Sequence, residues 1–86
     1  MAEKLTPEQA IARIIRLSKE VAQNPADDEK VKRISDLADD LWRMEIPKDE
    51  RNDHAIRLTP AMRLLSGERQ PLARKLMRLV GHLTSE

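Results

Sequence analysis

The apolar positions of this chain recur at helical spacing in four separate stretches, and the clearest is Pro71 to Leu83. There Leu72, Leu76, Leu79, Val80 and Leu83 fall on one side of a helical wheel, with Arg74, Lys75, Arg78 and His82 on the other. One side suits a core and the other suits an anion. A second stretch, residues 7–22, places Ala10, Ile11, Ile14, Ile15, Leu17, Val21 and Ala22 on one arc, opposite Arg13, Arg16, Lys19 and Glu20. It is preceded by Thr6-Pro7-Glu8-Gln9, in which Thr6 is placed to cap, Pro7 to occupy the first helical position, and Gln9 to close a capping box.

Asn24-Pro25 repeats the start signal, and Asp27, Asp28 and Glu29 follow at the positive end of the helix dipole. The pattern predicts a helix over 25–45 with Val31, Ile34, Leu37, Ala38, Leu41, Trp42 and Met44 on its apolar face, ending before Pro47. Thr59-Pro60 reads as the start of a short helix over 60–66, closed by Ser66-Gly67, with Gly67 suited to a left-handed cap. Residues 47–58 have only Ala55, Ile56 and Leu58 to bury and read as a connector or a short helix begun by Pro47. The predicted fold is all-α: an N-terminal helical hairpin packed on a short helix plus a long one, within a single domain of 86 residues. Its core is expected from Ile11, Ile14, Ile15, Val21, Ile34, Leu37, Leu41, Leu65, Leu72, Leu76, Leu79, Val80 and Leu83.

Composition supports helices over strands, because the chain has no Phe or Tyr and one Trp. A core without large rings buries limited area, so self-association, as a homodimer, is expected. Net charge is +1, but residues 1–50 carry 9 basic against 12 acidic side chains and residues 51–86 carry 7 against 3, so the basic surplus lies in the C-terminal part. The lack of cysteine removes disulfide and thiol chemistry. No apolar run reaches membrane-spanning length and the N-terminus lacks a signal-peptide core, so a cytoplasmic location away from membranes is expected.

The candidate chemistry is sparse. Asp36, Asp39 and Asp40 share a helix face but lie among Lys32, Arg33 and Arg43 with no glycine loop to wrap an ion, and Glu50, Asp53 and His54 lack Glu-x-x-His spacing. No metal, cofactor or small-molecule substrate is expected. His54 reads as exposed in the connector, and His82 as a C-terminal cap. With two histidines, no cysteine and no nucleophile in a recognisable setting, an enzyme is not expected.

The remaining candidates are surfaces. Trp42, Met44 and Met77 lie at the edges of apolar arcs, and Arg74, Lys75 and Arg78 form the basic stripe. They point to a small protein-binding module, a regulator, adaptor or inhibitor, in which the edges supply burial and the cations supply orientation. The alternative is a DNA-binding regulator. Thr59 to Leu83 resembles in outline the helix-turn-helix of bacterial DNA-binding proteins, with Arg74, Lys75 and Arg78 facing duplex DNA. Arg63 and Glu68, however, stand where that motif has a small and an apolar residue.

Overall fold

In the computed structural model, which describes residues 5–67 and 69–84, four helices follow one another: α1 Pro7–Gln23, α2 Asp28–Arg43, α3 Lys48–Leu65 and α4 Gln70–Thr84. Glu68, weighed above as a turn position, lies outside the described residues. α1 begins as its sequence dictates. The Gln9 amide donates to Thr6 Oγ1 at 3.2 Å, the Thr6 amide donates to Gln9 Oε1 at 3.2 Å, and Pro7 opens the first turn.

α2 starts three residues later than Asn24-Pro25 predicts. Asp27 is the cap, its carboxylate accepting from the Lys30 amide at 3.3 Å. Residues 24–27 are held as a turn instead, with the Asp27 amide donating to the Asn24 carbonyl and the Pro25 carbonyl taken by the guanidinium of Arg69 from the other end of the sequence. At its far end α2 stops at Arg43 rather than residue 45, because Met44 turns to an extended backbone and leads into Ile46, which is buried.

The largest departure from expectation is α3. Residues 47–58 and 60–66 form one 18-residue helix, with Pro47 at its N-cap and Pro60 inside it. Pro60 lies on the exposed side, as does Ile56, the residue whose carbonyl would accept from position 60. The missing N–H therefore leaves a carbonyl facing water rather than the core, which is how a helix tolerates an interior proline. One turn back, Thr59 Oγ1 donates to the Ala55 carbonyl at 3.0 Å. Gly67 does not take the left-handed conformation expected of it, and Ser66 ends the helix by donating its hydroxyl to the Arg63 carbonyl at 2.8 Å.

The helices pack as two hairpins. α1 lies on α2 and α3 on α4, with α1 also against α3 and α2 against α4; among the described residues the diagonal pairs make no backbone approach. The bundle is flattened, measuring 35 × 32 × 16 Å. Ion pairs fix the register: Lys30 to Glu20 at 3.2 Å across the α1–α2 turn, and Arg69 to Asp28 and Lys75 to Asp39 along α2 and α4, which run parallel. Hydrogen bonding to Glu20, with help from Asp27, raises the Lys30 pKa above the ordinary lysine value. The stability linked to this raised lysine pKa is thus present at neutral pH and is lost as the pH rises through the alkaline range.

Eleven of the thirteen residues expected in the core are buried, while Ile15 and Val80 are partly buried against it. Ala10, Leu17, Ala38, Ile46, Ala55, Leu58, Ala61 and Ala73 complete it. The small residues Ala10, Ala38, Ala55, Ala61 and Ala73 line the inner faces of all four helices, and so let the backbones approach closely in the absence of rings. His54 is buried in α3, not exposed, because the helix that replaces the expected connector turns it inward beside Ala55 and Leu58. Its Nδ1 and the hydroxyl of Ser18 are buried with no hydrogen-bond partner among the described residues.

Candidate functional site

The six residues singled out from the sequence do not form one surface. Trp42 is half exposed at the C-terminal end of α2, and its indole stacks on the His82 ring with centroids 4.1 Å apart and planes 16° from parallel. It therefore covers the α2–α4 seam rather than entering the core, and His82 belongs to this stack rather than serving only to cap α4. Met44 is partly buried against the core where the chain leaves α2. Met77 is 57% exposed, but five residues before His82 it lies about 140° around α4 from the tryptophan stack. No single flat partner meets both.

The basic stripe divides as well. The Lys75 ammonium donates to Ser35 Oγ at 2.6 Å and pairs with Asp39 at 3.0 Å, so it ties α4 to α2. It thus meets the acidic face of this same chain. Arg74 and Arg78 stay exposed beside Gln70 and Pro71, with no carboxylate at ion-pair distance among the described residues. Arg78 also borders a depression of about 200 Å³ with Ala38, Asp39, Trp42, Lys75 and Leu79. A second polar groove of about 360 Å³ runs between α1 and α2, lined by Arg13, Arg16, Arg33, Asp36 and Asp40 over Leu17 and Leu37. Its charges of both signs favour no one ligand. Asp36 and Asp40 face this groove and Asp39 faces Lys75, so the three aspartates do not converge on one point. Among the described residues no group of three or more potential metal ligands gathers.

The surface that sequence reasoning missed is the outer side of α3. Ile56 is 61% exposed and Leu64 42%, and with Pro60 between them they repeat at i, i+4, i+8 along the face opposite the core. Together with Thr59 and Arg63 they line an open apolar trough of about 640 Å³. The Ile56 carbonyl, deprived of its usual helical donor by Pro60, adds one backbone acceptor to the stripe. The other three helices each bury one apolar face, whereas α3 is apolar on two. The i, i+4, i+8 spacing was available in the sequence, but a helix start assigned at Thr59-Pro60 divided Ile56 from Leu64.

No family model, curated protein or solved structure matches this chain. Its functional reading rests on the surfaces just described. Among the described residues no helix is long and apolar enough to cross a membrane.

Proposed function

We propose that this chain is a small non-enzymatic protein-binding module, acting as a regulator, adaptor or inhibitor, and that it docks through the outer face of α3. The observation that carries this reading is the exposed stripe Ile56–Pro60–Leu64. Large apolar side chains repeating along one helix face mark a place where a protein partner removes water. The exposed cation Arg63 at its border supplies orientation, the part assigned from sequence to Arg74, Lys75 and Arg78. Trp42 and Met44 bear instead on the α2–α4 seam and the core margin.

The test is a photo-crosslinking amino acid placed at position 59, whose uncharged side chain lines the trough, in the chain expressed in cells. A covalent adduct of one discrete mass is expected, and it should be lost when Ile56→Asp and Leu64→Asp are added. Adducts spread over many masses, or unchanged by those substitutions, would overturn the reading.

A second reading, DNA binding through α4, is favoured by one observation, the exposure of Arg74 and Arg78 beside each other on its outer face. Random duplex titrated at low and moderate salt separates the two. On the DNA reading, binding is steeply salt-dependent and the slope falls in Arg74→Ala/Arg78→Ala; on the protein-binding reading, no binding is seen even at low salt.

A further inference from the structure

The outer face of α3 carries charges as well as an apolar stripe, and their order along the helix names a partner. Within an arc of about 100°, the residues met from the N-terminus are Asp49, Asp53, Ile56, Pro60, Arg63 and Leu64. Acidic side chains thus precede the apolar centre and a basic one follows it. Asp49, Asp53 and Arg63 are exposed and make no ion pair among the described residues, whereas Arg57, on the flank toward α1, is paired with Glu8 at 3.7 Å.

A face of this kind is complementary to itself when turned end for end. If two copies of α3 cross antiparallel about a two-fold axis near residue 58, midway between Asp53 and Arg63, each Asp53 lies opposite the other copy's Arg63. Ile56 of each then lies opposite Pro60 of the other. The axis falls about 3 Å from Pro60, the centre of the apolar stripe, so the register that pairs the charges also buries Ile56 against Pro60 in both directions, with Leu64 opposite Asn52. A parallel arrangement would oppose like charges.

Resting on the reading of this face as a protein-docking surface, we infer that its partner is a second copy of this chain, bound antiparallel through α3 with reciprocal Asp53–Arg63 pairs. A single helix about 27 Å long offers a contact at the small end of specific interfaces, so the dimer dissociates in the micromolar range.

The test uses the purified chain, with mass followed by sedimentation equilibrium from about 1 to 500 µM and helicity by circular dichroism. A monomer–dimer equilibrium is expected. Ile56→Asp, at an exposed position, should leave helicity unchanged and abolish the dimer. D53R and R63D singly should each weaken association about 3- to 10-fold, because each places like charges opposite one another twice per dimer. The D53R/R63D double variant should return to within about 2- to 3-fold of the parent, since an antiparallel two-fold contact restores both pairs. A monomer at 500 µM, a dimer indifferent to Ile56→Asp, or a double variant no better than the singles overturns the inference. A monomer whose crosslinker at position 59 captures one discrete, heavier partner sinks the homodimer while leaving the docking face standing. A monomer with no discrete adduct removes both.

Discussion

Replacing Leu76 with Ala is expected to lower stability by about 2–5 kcal/mol, the largest effect of any single substitution considered for this chain. Leu76 is fully buried on α4 and belongs to the shared core. The core has no Phe or Tyr to shift into the space left by an isobutyl group, and its alanines are too small to fill it. A chain of this length has a total stability of roughly 4–13 kcal/mol, so the variant loses a large share of it, and its melting temperature should fall by about 10–30 °C. The neighbouring Met77→Ala is the control. Its side chain is exposed, so its melt should stay within about 0.5 kcal/mol of the parent. Equal losses in the two variants would show that α4 does not present the face described here.

Pro60→Ala is expected to act in the opposite direction, raising stability by about 2 kcal/mol. An interior proline costs a helix about 3 kcal/mol relative to alanine, and the smaller conformational entropy of the proline-containing unfolded chain returns up to about 1 kcal/mol of that. Pro60 is exposed, so alanine opens no cavity, and the new amide can donate to the Ile56 carbonyl. Thermal or urea melts of the dilute protein, below the association range, isolate the effect on the folded chain. A loss of stability would mean that the backbone angle fixed by Pro60 is needed to seat α3 on α1 and α4 together.

These two substitutions divide what the sequence discloses from what it conceals. α1, α2 and α4 each bury one face, so periodicity gives their orientation, and the capping box at Thr6 and Gln9 is legible residue by residue. α3 resists such reading because it is apolar on both sides. Leu58 and Leu65 point to the core while Ile56 and Leu64 point away, and no single arc emerges. Thr59-Pro60 then imitates a helix start in mid-helix. With residues 47–58 read as a connector or short helix and a separate helix begun at Thr59-Pro60, His54 falls in solvent and the outer stripe is split in two. The cations of α4 were legible as a stripe, but Lys75's link to Ser35 and Asp39 depends on the lateral placement of α2, which local pattern does not encode. The same holds for Trp42, whose partner His82 is 40 positions away along the chain.

Arg69 has a bearing on how the chain reaches this structure. Its guanidinium leaves the α3–α4 turn and donates to the Pro25 carbonyl and to Asp28, joining the two tight turns at one end of the bundle. The contacts within each hairpin join neighbours in sequence, so the loops they close are short. The Arg69 clasp spans 44 and 41 residues, so it closes only once the hairpins have docked, and it belongs to the last step of folding. Interactions made that late slow the escape from the native state more than they hasten arrival. Arg69 is therefore a latch on the lifetime of the fold.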